Sequence, residues 1–120
     1  MESVEKRVLV VDDNAAIRRL LRRILSAAGW HVQAAGTYKE ACDAFTAGSF
    51  AAAFVDVNLG DADGIALARG FLEQKPHLRL RMMSGASESA DRVRDAGLGP
   101  LLAKPFSVDE VASSLSGGRG

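Results

Sequence analysis

The sequence predicts a doubly wound α/β domain, in which helices cover both faces of a five-stranded parallel sheet. Short aliphatic runs alternate along the chain with longer segments whose apolar residues recur at helical spacing. Five strand-like and five helix-like segments alternate in this way, and right-handed crossovers between parallel strands place a helix over one face or the other. Periodicity alone does not choose the strand order. We expect 2-1-3-4-5, a common arrangement for five strands.

The composition is that of one ordinary domain with no strong overall electrostatic field. The chain has 120 residues, and its fifteen basic and fifteen acidic side chains cancel, so nothing draws it as a whole onto nucleic acid or a lipid surface. The single cysteine, Cys42, cannot form an internal disulfide, and no apolar run is long enough to span a membrane. We therefore expect a cytoplasmic protein without direct nucleic-acid binding or membrane insertion.

The first strand and helix have strong local signals. The aliphatic run Arg7–Val11 is typical of a strand buried on both faces, and it ends in Asp12 and Asp13. Apolar residues then recur at helical spacing over residues 17–28, and Gly29 ends the helix. Four arginines take the opposite, polar side of this helix: Arg18, Arg19, Arg22 and Arg23.

The second strand and helix are shorter. Residues 30–34 are predicted to form the strand. Thr37 and Glu40 have the spacing of a capping box, which opens a helix that ends at Gly48.

The third strand carries the most unusual polar residue. Residues 50–55 form a continuous apolar run, which Asp56 interrupts. A loop rich in Asn, Gly and Asp then leads to a helix over Gly64–Gln74, and Pro76 lies just beyond its end.

The fourth strand and helix have weaker signals. Residues 78–83 are predicted to form the strand, although Arg79 and Arg81 place charge on one face, which we attribute to side chains that reach an edge of the sheet. Residues 88–96 are helical in pattern but polar, so we expect this helix to be comparatively weakly packed. Residues 100–103 complete the sheet.

The carboxyl-terminal region predicts a fifth helix followed by a tail. Ser107 and Glu110 make a second capping box, and Phe106 is placed to pack on Val111. The last residues are rich in Ser and Gly, as in a frayed end or a linker. We therefore divide the chain into an N-terminal extension (residues 1–6), one folded domain (residues 7–115) and a flexible tail (residues 116–120).

Polar residues follow four of the five predicted strands: Asp12 and Asp13, Asp56, Ser84, and Lys104. Ligands of open parallel sheets bind beyond the carboxyl ends of the strands. Asp13 and Ser84 are individually just as typical of helix caps, and Lys104 of a surface lysine. Asp56 is harder to explain structurally, because a carboxylate directly after apolar residues is costly if it is unpaired. The coincidence of all these residues at one edge indicates a site.

The chemistry of these residues suits phosphoryl transfer with a divalent metal. Carboxylates that meet on one rim repel one another unless a cation neutralises them, and oxygen ligands without His or Cys favour Mg²⁺ or Mn²⁺ over Zn²⁺. Phosphoryl transfer needs a positioned nucleophile and stabilised charge on the equatorial oxygens. Asp56 fits the nucleophile, and the metal, Lys104 and the Ser84 hydroxyl would contact the oxygens.

With these residues in place, the chain resembles the receiver domain of bacterial two-component response regulators over about residues 8–115. Four segments carry the resemblance: VLVVDDN (8–14), DVNL (56–59) followed by Asp63 and Gly64, SGA (84–86) and KPF (104–106). The resemblance implies a flavodoxin-like fold. It also implies a phosphoacceptor domain of a phosphorelay, which receives its phosphoryl group from a histidine kinase or a phosphotransfer protein. Such a domain is not an enzyme: it catalyses only its own phosphotransfer and slow autodephosphorylation. The resemblance further implies that two receivers can pair as a homodimer.

Carried over by position, the resemblance assigns the metal ligands. Asp56 takes the phosphoryl group, and Asp13 and Asp56 ligate Mg²⁺ directly together with the Asn58 main-chain carbonyl. Asp12 acts mostly through water.

The resemblance also assigns the phosphate contacts. Ser84 hydrogen-bonds the phosphate, Lys104 pairs with one of its oxygens, and the Lys104–Pro105 bond is cis.

Three departures from the family pattern bear on output and lifetime. Leu101 occupies a position that is usually aromatic, so the family's usual readout through rotation of a ring is not expected. Gly60 replaces a common loop proline and is expected to loosen the turn. Ala86 leaves a path for attacking water, so we expect no unusual protection of the phosphoryl group, and a half-life of many hours would contradict this.

Three other functions compete with this one. A Mg²⁺-dependent phosphohydrolase of the haloacid-dehalogenase type would carry its nucleophile after the first strand, with a second Asp two residues later, whereas Asp12 and Asp13 are adjacent and no cap insertion is present. A receiver-like scaffold that signals without phosphate is favoured by Leu101 but opposed by the complete set of site residues. A nucleotide-binding domain fits less well, because no glycine-rich loop follows the first strand.

Overall fold

The computed structural model describes residues 6–60, 62–85, 89–98, 101–104 and 110–111. Within them the elements are, in order, β1 (Arg7–Val11), α1 (Ala15–Ala27), β2 (His31–Ala35), α2 (Tyr38–Ala47), β3 (Ala52–Asp56), β4 (Asn58–Leu59), β5 (Ala62–Asp63), α3 (Gly64–Gln74), β6 (Arg79–Ser84), α4 (Ser89–Asp95) and β7 (Leu101–Ala103). The five predicted strands correspond to β1, β2, β3, β6 and β7.

These five strands form one parallel sheet in the order β2-β1-β3-β6-β7. The predicted fold class and the predicted order 2-1-3-4-5 are therefore confirmed. Because β1 and β3 lie inside the sheet and are covered on both faces, residues 8–11 and 52–55 are continuously apolar instead of alternating.

Two hydrophobic clusters, one on each face, hold the layers together. Alternate residues of β1 face opposite ways: Leu9 and Val11 join the cluster beneath α2, α3 and α4, whereas Val8 and Val10 join the cluster beneath α1. All four side chains are fully buried. Burying one such aliphatic side chain stabilises the fold by about 1.5–3 kcal/mol, so this strand anchors the whole sheet.

Side-chain caps define where the first two helices begin. Asn14 caps α1, accepting hydrogen bonds from the backbone N–H groups of Ala16 and Ile17. Helix α1 therefore begins at Ala15, before Ile17, where the apolar periodicity that predicted the helix begins. Thr37 caps α2 by accepting from the N–H of Glu40, as predicted, and the Glu40 carboxylate accepts from the N–H of Gly36.

The segment after β3 contains structure that the sequence did not predict. The two-residue strands β4 and β5 pair antiparallel, with Asn58 opposite Asp63. Between them Gly60 has φ +68°, a left-handed conformation that proline cannot adopt. Instead of simply loosening this turn, Gly60 supports a short hairpin.

Arg79 and Arg81 lie in the first half of β6. Strand β6 lies inside the sheet, between β3 and β7, but only Met82–Ser84 pair with β7 in the described residues. Arg79 and Arg81 precede that paired stretch, so β6 has its β3 neighbour there and no described neighbour on the other side. Arg79 is exposed and Arg81 is half-buried. That these side chains reach an edge of the sheet stays a prediction.

Four helices lie in the described residues, and Glu110 and Val111 are also helical, where the fifth helix is predicted. Val111 is fully buried in the cluster beneath α1. The other residues of the predicted cap and staple, Phe106 and Ser107, lie outside the described residues. Among the helices that are described, none combines the length and the apolar character needed to cross a membrane.

Candidate functional site

The parallel register brings the predicted polar residues to one edge of the sheet. Asp56 pairs with Met83 of β6, and the next residue of β6, Ser84, pairs with Ala103 of β7. The backbone N–H of Lys104 donates to the Ser84 carbonyl at 2.9 Å, which extends the ladder by one residue. Residues that are far apart in the sequence therefore end their strands at the same level.

Asp12 is fully buried and held through several atoms. Its backbone N–H donates to the Ala35 carbonyl at 3.2 Å, and its Oδ1 accepts from the Asn14 N–H at 2.9 Å. Its Oδ2 lies 2.7 Å from Lys104 Nζ. This ion pair supplies the positive charge that a buried carboxylate requires.

Asp13 is exposed beside it, and it is not the helix cap. Because Asn14 caps α1 instead, Asp13 does not have the helix-capping role that the sequence left open. Its carboxylate stays available to a ligand at the rim.

Asp56 is 5 % exposed and lies at the end of β3. Its Oδ2 lies 3.2 Å from Lys104 Nζ, and its Oδ1 accepts from the Asn58 N–H at 3.3 Å. Burial, together with repulsion from Asp12, raises the pKa of Asp56, although Lys104 and the Asn58 N–H partly oppose the change. The charged form of this carboxylate is therefore disfavoured, and a further cation beside it would relieve that cost.

Lys104 bridges the two buried carboxylates, and its side chain is 19 % exposed. Burial on its own lowers the pKa of Lys104, but the contacts with Asp12 and Asp56 outweigh it, so the pKa is raised and the side chain stays an ammonium at neutral pH. These contacts exclude the reading of Lys104 as a solvated surface lysine. Ser84 is also buried, at the carboxyl end of β6, and α4 is described from Ser89 onward.

The acidic residues fit a divalent cation. Asp12, Asp13 and Asp56 each offer a carboxylate oxygen, and these oxygens lie within 4.8 Å of one another. Lys104 compensates one of the three negative charges, which leaves a formal excess of two. The donor set consists of oxygens alone, which suits Mg²⁺ or Mn²⁺.

Sequence reasoning did not identify the role of Gly64, the first residue of α3. Its N–H donates to the Val57 carbonyl at 2.8 Å. A Cβ at this position would lie 1.8 Å from the main-chain oxygen of Asp56. Gly64 therefore lets α3 begin directly against the backbone that carries Asp56, and the Asp63-Gly64 pair was the available signal.

Two expectations near the site fall on residues that are not described. Pro105 and Ala86 lie outside the described residues, so the cis bond and the water path stay predictions. Leu101 is half-buried and packs against the cluster beneath α2, α3 and α4.

Comparison with known proteins agrees with this architecture. The sequence model of the family described as "Response regulator receiver domain" matches residues 8–116. Response regulator MprA of Mycolicibacterium vanbaalenii is 32 % identical over 111 residues, which cover 91 % of this chain and 48 % of that protein. The chain thus spans about half the length of the curated relatives it matches.

Solved structures show the same fold. A CheY-like receiver domain protein from Methanospirillum hungatei superposes with a TM-score of 0.85 at 26 % identity, covering 94 % of this chain and 92 % of that one. A response regulator protein from Burkholderia pseudomallei superposes with a TM-score of 0.83 at 29 % identity, covering 92 % of this chain and 66 % of that one. The latter structure contains a phosphorylated aspartic acid, a calcium ion and citrate.

Proposed function

Since this chain belongs to the response regulator receiver domain family, the phosphoacceptor domains of two-component signalling, we propose that Asp56 is the residue that accepts its phosphoryl group. One observation carries the proposal: Asp56 ends a buried strand within a cluster of three carboxylates, and Lys104 Nζ lies 3.2 Å from its Oδ2. A buried carboxylate with this surplus of negative charge beside it destabilises the fold, so a purely structural role does not account for it. Phosphoryl transfer at the rim would account for its position.

The same cluster is proposed to hold Mg²⁺, with Mn²⁺ as a substitute. The ligands would be Asp12, Asp13 and Asp56, with the main-chain carbonyl of Asn58. When bound, the cation would withdraw negative charge from the phosphoryl oxygens. The structure of the similar Burkholderia pseudomallei protein contains both a phosphorylated aspartic acid and a calcium ion, which supports the proposal of a divalent cation in this chain.

Each side chain has a defined part in the transfer. A carboxylate oxygen of Asp56 forms a bond to phosphorus while the bond between phosphorus and the donor breaks, and the donor keeps that electron pair. Lys104, which stays protonated at neutral pH because its pKa is raised, pairs with a phosphoryl oxygen. The Ser84 hydroxyl donates a hydrogen bond to another. The chain therefore catalyses its own modification and does not turn over a separate substrate.

The donor is proposed to be a histidine kinase or a phosphotransfer protein. This follows from the family, in which the group is received from a phosphohistidine. We also propose that two receivers pair as part of the output. The curated relatives are about twice as long as this chain, so their own outputs are not carried over to it. Leu101 occupies the usual aromatic position, so we expect that output not to depend on rotation of a ring there.

Phosphorylation of the purified chain tests the proposal. Incubation with Mg²⁺ and acetyl phosphate, followed by intact mass spectrometry, should add one phosphate to the wild-type chain and none to Asp56→Asn. Asp43→Asn is the matched control, because Asp43 is an exposed carboxylate that pairs with Lys39 on α2. It should be labelled like the wild type.

Three results would contradict the proposal. Labelling of Asp56→Asn would place the phosphate elsewhere. An unlabelled wild-type chain would favour a scaffold that signals without phosphate, for which Leu101 is the supporting observation. Turnover of a phosphomonoester would instead indicate a phosphohydrolase.

A further inference from the structure

Arg18 makes a contact that its place in the sequence does not suggest. It lies on the polar side of α1 together with Arg19, Arg22 and Arg23. Its side chain is nevertheless half-buried, and its Nη1 donates to the main-chain oxygen of Asp12 at 2.8 Å. A hydrogen bond from a guanidinium is stronger than one between neutral groups, so this contact restrains Asp12 directly.

The oxygen that Arg18 holds belongs to the peptide unit between Asp12 and Asp13. That unit is planar, so the direction of its carbonyl sets the orientation of the whole plane. Both acidic side chains leave the backbone from the two ends of this plane. A group that holds the carbonyl therefore restrains the relative orientation of the two carboxylates.

The other polar atoms of Asp12 already have partners. The Ala35 carbonyl accepts from its N–H, the Asn14 N–H donates to Oδ1, and Lys104 contacts Oδ2. Asp13, by contrast, is exposed at the rim. Arg18 thus supplies the remaining main-chain contact at the junction between a fixed carboxylate and an exposed one.

The close approach of Arg18 depends on Gly36, at the end of β2. A Cβ on Gly36 would lie 2.8 Å from Arg18 Nη1 and 3.3 Å from Arg18 Cζ. These contacts are too short for unstrained packing, so an alanine there would displace the guanidinium. The α2 residue Glu40 holds Gly36 in place by accepting from its N–H at 2.8 Å.

Other arginines of α1 provide a contrast. Arg22, one turn further along, is exposed, and its Nη1 contacts the Val32 carbonyl at 3.3 Å, away from the acidic residues. Arg19 and Arg23 are also exposed. The contact of Arg18 with the site is therefore a property of its position and not of the helix's overall charge.

We infer that Arg18 is a positioning residue, which orients the Asp12–Asp13 peptide so that both carboxylates face one divalent cation. This rests on the proposed function for the existence of the metal site. It goes further by assigning the orientation of that site to a residue that ligates neither metal nor phosphate.

Whether removing Arg18 weakens or tightens Mg²⁺ binding distinguishes a positioning role from a purely electrostatic one. Removing a positive charge near an acidic cluster would, by Coulomb interaction alone, tighten the binding of a dication. Loss of orientation would weaken it, and losing a residue that orients a ligand typically costs on the order of tenfold in metal affinity. We therefore expect Arg18→Ala to weaken Mg²⁺ binding about tenfold.

The experiment is isothermal titration calorimetry of the full chain with Mg²⁺, paired with urea unfolding in chelator to confirm that each variant is folded. Arg22→Ala, the matched control, should bind Mg²⁺ like the wild type, and Arg18→Lys should recover part of the loss. Gly36→Ala should weaken binding while the charge is retained. Adding it to Arg18→Ala should cause little further loss, because both changes break the same contact.

Several outcomes would overturn the inference. Arg18→Ala that binds Mg²⁺ as tightly as the wild type, or more tightly, would show that Arg18 does not position the acids. Equal weakening by Arg22→Ala would point to bulk charge. If Arg18→Ala fails to fold, unchanged affinity in both Gly36→Ala and Arg18→Lys has the same meaning. A wild-type chain that binds no Mg²⁺ would overturn the metal site of the proposed function itself.

Discussion

Two titratable residues, Asp56 and Lys104, show how charge is crowded at the carboxyl edge of the sheet. The pKa of both is raised, for opposite reasons. Burial and repulsion from Asp12 disfavour the charged carboxylate of Asp56, whereas the contacts with Asp12 and Asp56 favour the charged ammonium of Lys104 over the opposing effect of burial. Folding therefore disfavours the charged form of Asp56 and favours the charged form of Lys104.

Asp56→Asn is expected to raise the free energy of unfolding of the metal-free chain at neutral pH. Because the folded-state pKa of Asp56 lies above its ordinary value of 3.8, the contribution of this carboxyl to folding is fully present only below pH 3.8. This contribution is lost as the pH rises through the folded-state pKa. The amide carries no such cost, so its advantage should be present at neutral pH and vanish below pH 3.8.

Urea unfolding in chelator across this pH range measures the effect. Asp43→Asn, on the exposed face of α2, should show little dependence of this kind. A lower stability of Asp56→Asn at neutral pH would contradict the sign.

Lys104→Met is expected to destabilise the metal-free chain by about 2 kcal/mol, because Asp12 and Asp56 stay buried without their ammonium. Mg²⁺ should restore much of this loss, since the dication takes over the neutralisation, while phosphorylation by acetyl phosphate slows. Urea unfolding with chelator and with saturating Mg²⁺ tests both. Lys39→Met removes an exposed partner of Asp43 and should change stability by less than about 1 kcal/mol. A deficit that Mg²⁺ leaves unchanged would argue against the shared role.

At the scale of elements, helix α3 is connected to the site through its first residue. Gly64 begins the helix, with Asp63 as the N-cap accepting from the Ile65 N–H at 2.9 Å. The close approach of Gly64 to the Asp56 carbonyl leaves no room for a side chain. The position of the helix is thus set by the backbone of the strand that carries Asp56.

Gly64→Ala is expected to destabilise the chain by about 2 kcal/mol or more, because the added methyl would force the backbone of α3 away from β3. It should also slow phosphorylation, since Asp56 shifts with that backbone. Gly70→Ala is the matched control: Gly70 lies in the same helix with open space around a Cβ, so it should stabilise by about 0.5–1 kcal/mol. Thermal and urea unfolding measure both changes. Equal effects of the two substitutions would mean that the close approach is unimportant.

Helix α4 contacts the rest of the described domain through a buried side chain and an exposed ion pair. Val93 is fully buried in the cluster beneath α2, α3 and α4, and Arg92 Nη2 lies 3.4 Å from Asp63 Oδ1. Both partners of this ion pair are about half exposed, so it contributes little. Val93 is the one large aliphatic residue in the sequence of α4, and its side chain is the buried contact of this helix with the core.

At the scale of the whole molecule, a chain with no net charge concentrates an excess of two negative charges at one edge of the sheet. Mg²⁺ that binds the folded state alone must therefore stabilise the entire domain. The expected gain in unfolding free energy is about 2.7 kcal/mol at a Mg²⁺ concentration one hundred times the dissociation constant.

Asp13→Asn should remove most of that gain while changing the metal-free stability by less than about 0.5 kcal/mol, because Asp13 is exposed and does not cap α1. Thermal unfolding with increasing Mg²⁺ measures the gain, and Asp43→Asn should retain it in full. A wild-type chain whose melting temperature is indifferent to Mg²⁺ would contradict the prediction.

The sequence by itself determined the layered fold and the set of candidate site residues. Hydrophobic periodicity is a local property, so β1 and α1 were readable from a few neighbouring residues. The candidates were recognisable because parallel strands end at a common edge, and Asp56 stood out as a carboxylate after an apolar run. The family resemblance supplied the role of each candidate.

Only the tertiary structure decided how those residues meet. The ammonium of Lys104 between Asp12 and Asp56, the approach of Gly64 to the Asp56 carbonyl, and the contact of Arg18 with the Asp12–Asp13 peptide all join atoms from different elements or turns. Polar spacing alone even placed Arg18 with the solvated arginines. The physical reason is that such contacts depend on the packing distances between strands and helices, which local periodicity does not encode.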